Sequence, residues 1–208
     1  MIVGTSGCGK STLFYVLMRL LYPLKGNIFI QGKNYDDLAE KSIREHFAVA
    51  FQEHHIFNLS IRDNFKMLYE DITDEEIYKS LENVYLLDFV NQVGLDYIVG
   101  NDGNKLSGGQ KHRLQLAICL AKQKDIILLD EPTAGLDIKT TNNLCSQLME
   151  KYQKQTMIVT SHDISLLRFF DDIIVCGEEK IIEQGNIKNL LLREDSYLNK
   201  LIRYKNFI

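Results

Sequence analysis

Apolar and polar positions along the 208-residue chain follow two rhythms. Three runs are short, apolar and rich in β-branched residues: DIILLD (125–130), TMIVT (156–160) and DIIVC (172–176). Such runs read as strands buried on both faces. NIFIQGK (27–33) and FAVAF (47–51) are expected to be shorter strands. Helical spacing marks other stretches. One helix is expected from Lys10 to Tyr22, stopped by Pro23. In TDEEIYKSLENVYL, Thr73 and Glu76 set up a capping box, and Ile77, Leu81, Val84 and Tyr85 share one face. KHRLQLAICLAK (111–122) predicts a further helix, and helical segments are expected between the three buried runs. Strands alternating with helices imply an α/β fold with a mainly parallel sheet. The stretch from about Glu53 to Leu120 is mostly helical and interrupts that alternation. The expected organisation is an α/β core of residues 1–52 and 121–208, with a helical subdomain of about 53–120 inserted into it.

Composition narrows the class. An apolar fraction of 45% and a charged fraction of 25% suit one soluble globular domain. Lys and Arg number 24 against 28 Asp and Glu, a net charge of -4, which argues against a general nucleic-acid binder. Cys8, Cys119, Cys145 and Cys176 are widely spaced and show no metal-ligand spacing, so they read as free thiols of a reducing compartment. The densest apolar stretch, Leu13 to Leu24, is broken by Arg19 and Pro23 and is too short to span a bilayer. A membrane role would therefore need a partner chain.

The chemistry is concentrated in a few motifs. GTSGCGKS, Gly4 to Ser11, fits G-x-x-x-x-G-K-[ST]. Gly4, Gly7 and Gly9 let backbone N–H groups converge on phosphate oxygens, and the following helix adds the positive end of its dipole. Lys10 can reach the β- and γ-phosphates of a nucleotide, and Ser11 can hold Mg²⁺. In DIILLDEPT, Asp130 emerges from a buried strand, placed for Mg²⁺ or its water, and Glu131 follows in line to polarise an attacking water. In LSGGQ, Leu106 to Gln110, Ser107, Gly108 and Gly109 precede a helix. That is a second anion-binding helix start in one chain, with a simple helix cap as the alternative reading. Two copies packed head to tail would let this cradle cover the γ-phosphate held by Lys10 of the other copy.

These elements, in this order and over the whole chain, resemble the nucleotide-binding domain of ABC transporters, an ATPase built on a P-loop NTPase core. By that resemblance Gly4, Thr5, Ser6, Gly7, Cys8, Gly9, Lys10, Ser11 and Thr12 look like the Walker A loop that holds ATP. Gln52, after FAVAF, looks like the Q-loop glutamine, which senses Mg²⁺ and faces a transmembrane partner. Ser107, Gly108, Gly109 and Gln110 match the signature motif, and Asp137 in AGLD looks like the D-loop aspartate. Asp130 looks like the Walker B aspartate and Glu131 like the catalytic base. His162 in VTSHD looks like the switch histidine that contacts the γ-phosphate.

QEHHIFNLSIRDN (52–64) and YIVGNDGNKLSGGQ (97–110) are similar to exporter segments, whereas AGLD and SHD look more like importer cassettes. Asn101 and Asp102 stand where exporters carry Glu and Arg, and Ile118 stands where the family commonly has Arg. Cassettes of the family usually carry a few dozen residues before the Walker A loop, among them antiparallel strands and an aromatic that stacks on adenine. Only Met1, Ile2 and Val3 precede it here, so the sequence is expected to be a fragment or a truncated form. The resemblance implies an ATP- and Mg²⁺-dependent motor domain at the cytoplasmic face of the cell membrane. Its implied partners are a second ABC domain and the transmembrane domain of a transporter, with no nucleic acid. The alternatives are a truncated nucleotide-binding module with little ATPase activity alone, and a chromosome-maintenance ATPase. The latter lacks support, because no sustained heptads run between Phe57 and Leu106.

Overall fold

The computed structural model describes residues 1–5, 7–52, 55–177 and 180–205. In chain order the elements are β1 (Ile2–Gly4), α1 (Lys10–Leu17), β2 (Phe29–Ile30), β3 (Lys33–Asn34), α2 (Glu40–Glu45) and β4 (Phe47–Ala50). Then come α3 (Ile61–Lys66), α4 (Asp74–Glu82), α5 (Leu87–Val93) and α6 (Gly108–Leu120). The chain continues through β5 (Ile126–Asp130), α7 (Ile138–Lys151), β6 (Thr156–Ser161), β7 (Asp172–Gly177), β8 (Lys180–Asn186), α8 (Ile187–Leu192) and α9 (Tyr197–Lys205). Two compact units result: Met1–Phe47 with Ile126–Glu131 and Thr156–Ile208, and Ala48–Asp125 with Pro132–Gln155.

The fold is α/β, and its main sheet has six strands in the order β4-β5-β6-β1-β7-β8. β5 with β6, β6 with β1, and β1 with β7 are parallel, while β8 returns antiparallel along β7. Buried side chains such as Ile127, Leu128, Leu129, Val159 and Val175 explain the continuous apolar runs, because parallel strands carry cover on both faces. β1 has three residues, all buried, and pairs on both sides. The side chain of Phe14 is fully buried and anchors α1; burial of this kind contributes about 1.5–3 kcal/mol.

Several sequence expectations change. α1 ends at Leu17 rather than Tyr22. The Arg44 guanidinium takes the carbonyls of Met18 and Arg19 at 3.1 and 3.2 Å, and Arg19 turns left-handed with φ 53°. NIFIQGK is a hairpin, not one strand: Gln31 (φ 49°) and Gly32 (φ 77°) reverse the chain between β2 and β3. Tyr85 leaves the buried face of α4. It lies past the helix end with φ 57° and is 47% exposed, whereas Ile77, Leu81 and Val84 are buried. The segment between β6 and β7 is a 3₁₀ turn, Ile164–Phe169. Strand β8 and helices α8 and α9 were not foreseen.

The second unit is organised by helix caps and a few buried polar groups. Thr73 and Glu76 form the expected capping box. Asn64 is buried; its amide accepts from Phe57 N–H at 2.9 Å and donates to the carbonyls of Phe57 and Ser60 at 3.1 and 2.9 Å. Replacing Asn64 with Ala orphans those groups and should lower stability by about 2 kcal/mol, read as a shift of the urea midpoint at unchanged m-value. Glu76 also accepts from the Lys122 ammonium, which with the Thr73 N–H lowers its pKa from 4.5 to about 2. A depressed carboxylate pKa stabilises the fold above pH 4.5, and that contribution is lost as pH falls toward 2. Melting temperature should therefore decline less steeply below pH 5 in Glu76→Gln than in the parent chain.

Candidate nucleotide site

The site is built where parallel strands end. Val3 lies opposite Ser161 and Gly4 opposite Cys176, while Asp130 lies opposite Thr160. The carboxyl ends of β5, β6, β1 and β7 thus sit side by side, the place where open α/β sheets hold ligands. The glycine loop leaves β1, and α1 begins at Lys10 after Gly9, whose backbone is left-handed at φ 94°. Gly9 has no side chain with which to cap that start. Ser11 is half-buried and Thr12 exposed. Ser6 lies outside the described residues.

Lys10 folds back over the loop. Its ammonium donates to the carbonyls of Gly4 at 3.1 Å and Thr5 at 3.0 Å, and lies 3.8 Å from the Cys8 sulfur. Gly4 has no room for a side chain: a Cβ there would stand 2.2 Å from the Cys176 carbonyl oxygen and 2.8 Å from the Cys8 sulfur. Burial, with Cys8 beside it, pushes the Cys176 thiol above its usual pKa against the pull of Lys10.

Asp130 and Glu131 are both buried, at 3% and 6% exposure. Asp130 Oδ1 accepts from the Thr160 hydroxyl. Glu131 has a left-handed backbone, φ 52°, and its N–H donates to the Thr160 carbonyl at 3.0 Å. Its Oε1 accepts from the His162 N–H at 2.9 Å and lies 2.9 Å from His162 Nδ1. Its Oε2 accepts from the Ser161 hydroxyl at 2.9 Å. A carboxylate oxygen that accepts from this nitrogen needs the proton on His162 Nδ1. The His162 ring itself is 67% exposed. Thr160 and Ser161 were missed as site residues; the signal was two hydroxyls closing an otherwise apolar strand.

Gln52, Ser107 to Gln110 and Asp137 belong to the second unit. Gln52 is exposed in the bend that follows β4. Ser107 caps α6: its hydroxyl accepts from Gln110 N–H at 3.2 Å, and Gln110 Oε1 accepts from Ser107 N–H at 2.8 Å. Gly108 is open to space, and a Cβ on Gly109 would touch Leu136 at 3.4 Å. Asp137 caps α7 through the hydroxyl and N–H of Thr140, at 2.6 and 3.0 Å, bonds that hold its carboxyl below the usual pKa. Asp102, one of the two departures from the exporter pattern, is left-handed at φ 49° and pairs with Lys111 at 2.6 Å.

A glycine loop that runs from a buried strand into a helix, in one mainly parallel sheet with a strand that ends in two adjacent carboxylates, defines a P-loop nucleotide-binding protein. The sequence matches the family model described as ABC transporter over residues 1–134. The Beta-(1-->2)glucan export ATP-binding/permease protein NdvA of Agrobacterium vitis is 35% identical over 191 residues, 91% of this chain and 33% of that protein. The Glutathione/L-cysteine transport system ATP-binding/permease protein CydC of Escherichia coli K12 is 35% identical over 196 residues, 94% of this chain and 34% of that protein. A solved structure of a bacterial Atm1-family ABC exporter with ATP bound superposes with a TM-score of 0.92 at 31% identity, over 98% of this chain and 36% of that one. The chain belongs to the ABC transporter family. It spans about a third of the length of the curated relatives it matches. Among the described residues, no helix is long and apolar enough to cross a membrane.

The space at Gly4 gives a direct check on the loop. Gly4→Ala forces the strand end and the Cys176 carbonyl apart and should cost about 1–3 kcal/mol of stability. Urea unfolding and ATP titration of the same preparation should show both stability and nucleotide affinity reduced.

Proposed function

We propose that this chain is the ATP-hydrolysing motor domain of an ABC exporter, working at the cytoplasmic face of a membrane. The observation that carries this reading is the Glu131 carboxylate, buried and held by His162 at the end of β5, in the same mainly parallel sheet that leads into the glycine loop. A buried, oriented carboxylate in a sheet that also carries a phosphate cradle suits activation of a water.

Gly4 to Thr12 would wrap the triphosphate, with the N–H groups of the loop and of the start of α1 supplying donors. Lys10 would exchange the carbonyls of Gly4 and Thr5 for the β- and γ-phosphate oxygens. Glu131 would accept the proton of the attacking water, and His162 would contact the γ-phosphate while keeping Glu131 in place. Ser11 and Asp130 would be oxygen donors for Mg²⁺, and by the family resemblance Gln52 would sense it. Among the described residues no cluster of three or more His, Cys, Asp or Glu could hold a metal. Mg²⁺ takes one or two protein oxygens together with substrate phosphates and water. Bound with the nucleotide, it would neutralise charge on the β- and γ-phosphate oxygens.

Ser107, Gly108, Gly109 and Gln110 would close over the γ-phosphate held by a second ABC domain, and Asp137 would lie along that dimer contact. A partner transmembrane domain would receive the motion through Gln52. The support is the matching order of these motifs and the similarity to ATP-binding/permease proteins and to an exporter with ATP bound.

Glu131→Gln keeps the shape of the side chain but cannot take the proton. It should leave ATP affinity within about threefold of the parent and lower phosphate release by about 100-fold or more. Turnover that survives in this variant would remove Glu131 from the role of base.

A further inference from the structure

Ser161 is the last residue of β6 and has no exposed surface. Its hydroxyl oxygen accepts from the Asp163 N–H at 3.0 Å while its proton is donated to Glu131 Oε2 at 2.9 Å. The hydroxyl is thus fixed from both sides. A serine rotor with one lone pair taken by a backbone amide keeps its donor aimed at the carboxylate.

Glu131 needs such a clamp. Its backbone is left-handed, which an L side chain adopts at a cost. The bonds to Oε1, from the His162 N–H and Nδ1, hold one oxygen only and leave the carboxylate free to swing about it. The terminal torsion of a glutamate is broad and two-fold, so backbone position does not orient the lone pairs. A carboxylate offers about four acceptor positions. Among the described residues, the His162 N–H and Nδ1 face Oε1 and the Ser161 hydroxyl takes one position on Oε2, which leaves an accepting position on the oxygen that Ser161 holds.

We propose that Ser161 is a positioning residue for ATP hydrolysis: its hydroxyl fixes Glu131 Oε2 so that the remaining lone pair of that oxygen takes the proton from water. The inference rests on Glu131 acting as the base. It assigns the receiving atom and the group that orients it. Ser161 would act only through Glu131.

The test compares the parent 208-residue chain with Ser161→Ala, Ser161→Thr and Glu131→Gln, and with the Ser161→Ala, Glu131→Gln double variant. Losing one hydrogen bond to a charged group should lower kcat of Ser161→Ala by about 10- to 100-fold. KM for MgATP should stay within about twofold, because the phosphate cradle is untouched. Ser161→Thr keeps the hydroxyl and should recover kcat to within about threefold of the parent. In the Glu131→Gln background, Ser161→Ala should bring no further loss, the non-additivity of a residue that works through another. A purely structural serine would instead move KM and melting temperature and would add its effect in both backgrounds.

A second readout does not need turnover. The His162 amide donates to Glu131, so its hydrogen exchange, followed by NMR, should speed by about tenfold when Ser161→Ala loosens the carboxylate. Where Ser161→Ala does not fold, Ser161→Cys takes its place, with nearly the same volume and a weak donor, and the same losses are expected. If kcat and His162 exchange both match the parent while Glu131→Gln is inactive, the positioning role is overturned and the base assignment stands. If Glu131→Gln turns over like the parent while Ser161→Ala speeds His162 exchange, the base assignment fails and the clamp remains a structural one.

Discussion

Asp130 lies opposite Thr160, and Val3 lies opposite Ser161, because β5, β6 and β1 run parallel in adjacent positions. Every group in the first unit's site inherits its place from that register. A slip of one residue would set Asp130 opposite Val159 or Ser161 instead of Thr160. Ile127, Leu128, Leu129 and Val159 are all buried, and the close packing around them opposes such a slip. The apolar core and the polar strand ends therefore act as one constraint. Core packing fixes the register, and the register delivers hydroxyls to the two carboxylates.

The site also contains local conflicts that the rest of the fold resolves. Glu131 in a left-handed conformation and a buried pair of adjacent carboxylates each cost free energy. Donors from Thr160, Ser161 and His162 offset that cost and keep the arrangement single. Gly4 solves a different problem: the loop can pass the Cys176 carbonyl only where no Cβ exists. Lys10 is the adaptable part. Its bonds run to exposed or half-buried backbone carbonyls, and exchanging those for phosphate oxygens needs only side-chain rotation.

In the second unit the same economy is achieved with helix caps. Ser107, Asp137, Ser60 and Thr73 each satisfy the first N–H groups of a short helix. Two of these caps, Ser107 and Asp137, coincide with motif residues. A cap side chain stands at the helix start by necessity, which is also where an anion meets the positive end of the dipole. One local geometry can thus serve stability and ligand contact in turn.

Several features were legible because their causes are local. The glycine loop, the carboxylates after DIILLD, the capping box of Thr73, the helix start at Ser107 and the three buried strands follow from residue type and spacing within a dozen positions. The α/β class and the family resemblance followed from their order. Other features depend on partners distant in sequence. Ser161 meets Glu131 across thirty positions, and Arg44 ends α1 by reaching back twenty-five and twenty-six. Turn residues with left-handed backbones, Gln31 and Tyr85, ended elements that periodicity alone would have continued. The sequence by itself determined the chemistry on offer and the elements that carry it, because capping, turn formation and burial periodicity act over one or two turns of chain. Only the tertiary structure decided which hydroxyl faces which carboxylate, because strand register sets that pairing and register is fixed by packing between distant segments.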